Sequence, residues 1–95
     1  TGTVNANGGA INGAIANNAG TFTVGGTVTS NSTFTNASGA TLAVNAAGNY
    51  TVTGLVTNAG KVTVASGGSL TGSAGISNTG TLTSSGTVAG GLTNT

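Results

Sequence analysis

The stretch Asn58-Ala59-Gly60-Lys61-Val62-Thr63-Val64 decides how this chain is read, because its frame stands at three other places. Asn18-Ala19-Gly20-Thr21-Phe22-Thr23-Val24 and Asn78-Thr79-Gly80-Thr81-Leu82-Thr83-Ser84 share it outright. Asn36-Ala37-Ser38-Gly39-Ala40-Thr41-Leu42 carries two extra residues between its asparagine and its leucine. Phe22, Leu42, Val62 and Leu82 nevertheless fall twenty residues apart each time. A fixed period of that size is the mark of a stacked repeat, and it outranks any local reading of helix or strand.

Working outward, two more apolar positions recur in each period. The series runs Phe22, Val28, Phe34; Leu42, Tyr50, Val56; Val62, Leu70, Ile76; Leu82, Val88, Leu92. Around them the residues alternate, as in Thr21-Phe22-Thr23-Val24 and Lys61-Val62-Thr63-Val64, which is the period of a half-buried strand. Three short strands per period describe one rung of a solenoid. A unit this small cannot bury itself, whereas stacking like on like builds a continuous core and pairs each strand with the rungs above and below. The expected fold is an all-β, three-sided parallel β-helix forming a single domain over residues 1–95. It has about 20 residues per rung and nearly five rungs, or a length of roughly 24 Å at one strand spacing per rung. The rung core comprises the twelve residues of the series.

Composition agrees with ordered polar surface. Thr, Gly, Ala, Asn and Ser supply 74 of 95 residues, and Leu, Ile, Val and Phe only 19. So little apolar content invites a reading of disorder, but disorder is ordinarily accompanied by high net charge or proline. Here there is one lysine, no acid and no proline. Threonine suits the outward face of a strand. The glycines at the corners, Gly20, Gly60 and Gly80, are expected to supply positive φ where the path turns. Asn18, Asn58 and Asn78 recur just before them. They form either a hydrogen-bonded amide ladder along the stack or simply a set of good turn residues.

The chain is poor in chemistry. Cysteine and histidine are absent, which removes disulfides and Cys/His zinc sites. No carboxylate exists to hold a hard cation or to serve as acid and base. Lys61 with Ser66 or Ser84 is the one conceivable dyad, set against a solvated lysine on an outward strand position that keeps sheet edges apart. The Gly8-Gly9, Gly25-Gly26 and Gly67-Gly68 pairs lack the lysine of a phosphate loop and read as corners. One cation makes no nucleic-acid surface, and the longest aliphatic run, Leu55-Val56, makes no membrane span. Asn31, Asn36 and Asn49 head N-x-S/T triplets, which arise by chance in such a composition. The expectation is a protein with no catalytic, metal or cofactor site, and no nucleic-acid partner or membrane insertion.

The two chain ends are complementary. Leu92-Thr93-Asn94-Thr95 repeats the first half of the motif Ile76-Ser77-Asn78-Thr79-Gly80-Thr81-Leu82, and Thr1-Gly2-Thr3-Val4 reads as its remainder. Ile15 to Phe22 is seven residues, as is Leu92 to the Val4 of a following copy. These eight terminal residues form an expected end-to-end interface. The chain is thus either a window on a longer repetitive protein or a subunit that stacks head to tail, a heterologous contact that does not close.

The Asn-Ala-Gly-x-[Phe/Val]-Thr-Val rungs and the Thr/Asn/Gly/Ser/Ala bias resemble the β-helical repeats of bacterial autotransporter passengers and filamentous-haemagglutinin-type adhesins. The resemblance implies a right-handed parallel β-helix exposed outside a Gram-negative cell, as a stalk, adhesin or matrix element. The expected function is a non-enzymatic structural or adhesive element of a secreted surface protein or extracellular filament. Two alternatives stand beside it. An adhesin binding a host or glycan surface should break the regularity with a loop insertion or an aromatic cluster drawn from Phe22, Phe34 and Tyr50. An ice-binding protein would use Thr21, Thr23, Thr41, Thr63, Thr81 and Thr83 as a Thr-x-Thr array, interrupted by Ala43 and Lys61.

Overall fold

A computed structural model describes residues 3–94. Thr1, Gly2 and Thr95, named above in the end-to-end interface, lie outside the described residues. The alternating segments form thirteen strands and no helix among these residues: β1 (Thr3–Ala6), β2 (Gly9–Ile11), β3 (Ile15–Asn17), β4 (Gly20–Val24), β5 (Thr27–Ser30), β6 (Phe34–Asn36), β7 (Ala40–Val44), β8 (Asn49–Val52), β9 (Val56–Asn58), β10 (Lys61–Val64), β11 (Ser69–Asn78), β12 (Thr81–Ser84) and β13 (Thr87–Asn94). All pairings are parallel and join strands one rung apart.

The result is the three-sided β-solenoid expected, with five rungs. The first face stacks β1, β4, β7, β10 and β12 in order. The second stacks β2, β5, β8 and the starts of β11 and β13, and the third stacks β3, β6, β9 and the ends of those same two strands. Faces two and three merge at the fourth and fifth rungs because β11 and β13 run through the corner without breaking. Phe22, Leu42, Val62 and Leu82 stand in one column with Val4 beneath them, in the register the twenty-residue spacing requires. On the other faces the spacing flexes: Val28 lies beside Tyr50 and Phe34 beside Val56, each 22 residues on, whereas Ile76 lies beside Leu92, 16 on. Corners absorb the difference. Extents of 30 × 27 × 24 Å make the stack about as long as it is wide, so its two ends form a large share of its surface.

The core runs through the middle of the stack. Val28, Phe34, Leu42, Tyr50, Val56 and Leu70 are fully buried, with Phe22, Val62 and Ile76 nearly so. Each first-face strand also turns a second residue inward, since a strand side chain repeats its direction every two positions; Val24, Val44 and Val64 are buried there, as is Val52 on the second face. Burial fades toward the last rung. Leu82 and Val88 are half-buried, and Leu92, expected in the core, is 48% exposed although it stacks directly beside Ile76. Position in a column fixes direction, but burial also needs a rung on either side.

The corner glycines divide into two kinds. Gly20 has φ +81°, as expected of a corner. Gly60 and Gly80 do not have positive φ, which corrects the expectation for them. Their requirement is closeness: a Cβ on Gly80 would run into the Gly60 carbonyl oxygen, and one on Gly60 into the carbonyls of Ala37 and Ala40. The corners pack backbone on backbone, and any side chain pointing there would pry adjacent rungs apart.

Candidate functional site

The buried polar residues converge on one line. Asn17, Asn36 and Asn58 occupy equivalent positions in β3, β6 and β9, and Asn78 closes β11 in the same register. The amide nitrogen of Asn17 donates to Oδ1 of Asn36 at 2.9 Å, that of Asn36 to Asn58 at 2.8 Å, and that of Asn58 to Asn78 at 2.7 Å. Each nitrogen also reaches a backbone carbonyl on the first-face strand that follows the next ladder residue: Thr41 from Asn17, Lys61 from Asn36 and Thr81 from Asn58, all at 3.0 Å. Asn58 Oδ1 accepts from the Gly60 amide as well. Asn36, Asn58 and Asn78 are buried, so the amides are worth having only because every polar group is satisfied. Ladder and turn are therefore not alternatives here: the side chains stack, and in doing so fasten the corner.

Asn18 is not in the ladder, contrary to the sequence expectation. It is exposed in the corner after β3, and its neighbour Asn17 takes the place. Asn18 has the same spacing to the following Phe22 that Asn58 has to Val62, but the first corner is one residue longer, and the extra residue falls after the ladder position. Asn36 was missed for the same reason, its corner being two residues longer. There the insertion is a turn in which the Ala40 amide donates to the Ala37 carbonyl at 3.0 Å, with Gly39 at φ +88°. Counting from the preceding apolar residue finds all four, in Ile15-Ala16-Asn17, Phe34-Thr35-Asn36, Val56-Thr57-Asn58 and Ile76-Ser77-Asn78.

The three aromatic side chains meet inside the second and third rungs. Phe22 and Phe34 pack edge to face with ring centres 5.3 Å apart, and Tyr50 stacks on Phe22 at 6.0 Å. All three are buried, so none forms an aromatic platform on the surface. The Tyr50 hydroxyl shares a 2.6 Å hydrogen bond with Ser30 Oγ. Burial pushes the Tyr50 hydroxyl above its ordinary value of 10.0, with the bond to Ser30 opposing part of the rise. A group whose folded pKa is raised contributes stability that is complete below its unfolded pKa and is lost as pH climbs through the folded one. With no Asp, Glu or His in the chain, the melting temperature should stay nearly constant from about pH 4 to 9 and fall above about pH 10. Melting curves across that range check this, and Tyr50→Phe should lessen the alkaline fall.

Outward positions are small and uncharged almost throughout. On the first face Thr3, Thr21, Thr41, Lys61 and Thr81 make one column, and Asn5, Thr23, Ala43, Thr63 and Thr83 the next. The threonines of the expected ice-binding array do share a face. Threonine columns stand on the other faces too, in Thr29, Thr51 and Thr71 and in Thr35 and Thr57. Lys61 is exposed within its column, Ser66 lies in the corner that follows, and Ser84 belongs to the inward-pointing column beside Val64, so these residues do not converge. Asn31 is exposed and donates to Asn12 Oδ1 at 2.8 Å; Asn49 is exposed on an outward position, and Asn36 is sealed in the ladder. No cluster of metal-ligating side chains occurs among the described residues.

The ends are the remaining irregularity. Val4 is 54% exposed on the first rung, and Leu92 lines an open groove of 320 Å³ at the last with Asn78, Gly80 and Leu82, and a second of 420 Å³ that extends past Gly75 and Ile76 to Leu55 in the third rung, itself 43% exposed. Apolar residues there keep the phase of the core without its cover. The chain matches no family model, no curated protein and no solved structure.

Proposed function

We propose that this chain is a non-enzymatic structural or adhesive element of a secreted bacterial surface protein or extracellular filament, built by end-to-end continuation of β-helix rungs. The observation that carries the reading is the persistence of the inward columns to the end rungs, where Val4 and Leu92 keep core phase yet stand open to solvent. A further rung at either end covers them and pairs the open edges of the end strands, which otherwise invite uncontrolled strand addition. Uncharged hydroxyl and amide surfaces, with a single lysine, suit a stalk whose sides are inert and whose growth is axial.

Placement outside the cell is tested with antibody raised against the folded protein and applied to intact cells of the source organism. Labelling of unbroken cells is expected. Labelling only after lysis contradicts the extracellular reading.

Ice binding is a second reading, favoured by the two adjacent outward columns that bring Thr21, Thr23, Thr63, Thr81 and Thr83 onto one face. It predicts thermal hysteresis that is lost in Thr23→Lys. Growth of ice unaffected by the unsubstituted protein rejects it.

A further inference from the structure

Asparagine followed by glycine is a pairing with chemistry of its own. Because glycine has no side chain to obstruct the approach, its amide nitrogen can close on the asparagine Cγ and expel ammonia. The sequence holds two such pairs, Asn7-Gly8 and Asn12-Gly13, in successive corners of the first rung. At the second pair a side chain from the next rung intervenes. The Gly13 amide donates to Asn31 Oδ1 at 2.9 Å, and Asn31 Nδ2 donates in turn to Asn12 Oδ1 at 2.8 Å. On either side of the pair the two corners are also tied through backbone, the Asn31 amide donating to the Ile11 carbonyl at 3.2 Å and the Ile15 amide to the Thr33 carbonyl at 2.9 Å.

We propose that Asn12-Gly13 is a self-modification site, an asparagine that converts to aspartate or isoaspartate without an enzyme, and that the hydrogen bond from Gly13 to Asn31 holds it shut. The nucleophile is the Gly13 nitrogen after its proton has passed to hydroxide. Its lone pair then lies along the former N–H direction, which in the folded protein is aimed at Asn31 Oδ1 rather than at Asn12 Cγ. An amide oxygen is an acceptor and not a base at neutral pH, so Asn31 directs that proton without removing it. Once the bond is broken, the nitrogen bonds to Cγ, the Cγ–Nδ2 bond breaks, and Nδ2 leaves as ammonia with a proton taken from water. Water then adds to one of the two carbonyls of the cyclic succinimide and reopens it, to aspartate by one route and to isoaspartate, with its lengthened backbone, by the other. Hydroxide and water are the only reactants required.

The conversion changes the protein more than its size suggests. The chain has no Asp or Glu, and its formal net charge of +1 comes from Lys61 alone. A single carboxylate at position 12 cancels that charge, the condition in which particles repel one another least. The fold accommodates it, because Asn12 and Gly13 are exposed and a Cβ placed on Gly13 would meet nothing within 4 Å.

The test follows ammonia loss at each Asn-Gly pair by peptide mass spectrometry, in the intact folded protein, in N31A and in N31D, all held at mildly alkaline pH. Asn7-Gly8 is the internal reference, since its corner packs on Gly25 and Gly26 and does not involve Asn31. N31A removes the hold, and conversion at Asn12 is expected to rise about tenfold while that at Asn7 is unchanged. N31D keeps an acceptor for the Gly13 amide at the same place, so conversion at Asn12 should stay at or below the parent rate. Conversion at Asn12 that is no faster in N31A than in the parent overturns the proposal. An equal rise at Asn7 and Asn12 overturns it too, by assigning the effect to general loosening, as does conversion at Asn12 as fast in N31D as in N31A.

Discussion

Asn58→Leu is expected to lower the stability of the solenoid by about 3–5 kcal/mol, because several buried polar groups lose a bond at once at roughly 1–3 kcal/mol for a group left unsatisfied. Asn36 loses one acceptor of its amide nitrogen, Asn78 a donor to its Oδ1, and Gly60 the side-chain acceptor of its backbone amide, while the Gly60 and Thr81 carbonyls lose the Asn58 amide as donor. Leucine fills a similar volume, so the loss reports the hydrogen bonds more than a cavity. The position sits in the third of five rungs, and its partners belong to the rungs on either side. Damage there interrupts the coupling that makes the stack cooperative. Asn18→Leu is the matched control: the residue is exposed and outside the ladder, so a change within about 0.5 kcal/mol is expected. Urea denaturation of the two variants beside the parent protein measures both. Equal effects at the two positions would show that asparagine matters here only as a turn residue.

Phe34→Ala should be comparably severe, at about 3–5 kcal/mol. The ring is fully buried and touches both other aromatic side chains, edge to face with Phe22 and with Tyr50, whose ring centre lies 5.9 Å away. Its removal leaves a hole between two stacked rungs that the surrounding backbone is poorly placed to close, since the same rungs are held at fixed separation by parallel strand pairing. In an otherwise small-residue core these three rings contribute a large part of the apolar contact. Thermal melting of the variant gives the loss. A fall of less than about 1 kcal/mol would show that the rungs collapse to fill the space, and that the core is looser than its burial implies.

Most of the architecture was legible because one face is metronomic. The Phe22, Leu42, Val62 and Leu82 spacing gave the rung length, and the three-segment division followed from the alternating residues between them. The phases of Val28, Tyr50 and Leu70 and of Phe34, Val56 and Ile76 also agree with the observed register. Two features were hidden for definite reasons. The ladder members Asn17 and Asn36 were displaced from the repeat frame by corners of unequal length, and a corner can lengthen freely because it points away from the core. The Ser30 to Tyr50 hydrogen bond joins different positions on adjacent strands: Ser30 is in register with Val52, and Tyr50 with Val28. Only the reach of the phenol makes the contact, and a frame of matching positions cannot show it.

The ends teach a separate lesson. Sequence phase places Leu92 in the same column as Ile76, yet one is 48% exposed and the other 2%. Hydrophobic pattern specifies which way a side chain faces, whereas burial in a solenoid is a property of neighbours along the stack. That gap between phase and cover is what points the functional reading toward the ends and away from the sides.

The most direct test of continuation is the mass of the particle isolated from its native source, measured under non-denaturing conditions and again after full denaturation. The account predicts a native particle well above 8.7 kDa, with the denatured mass showing whether the additional rungs belong to one longer chain or to stacked copies. A native particle that is homogeneous at 8.7 kDa would contradict it, since five rungs with open ends would then be the whole of the working object.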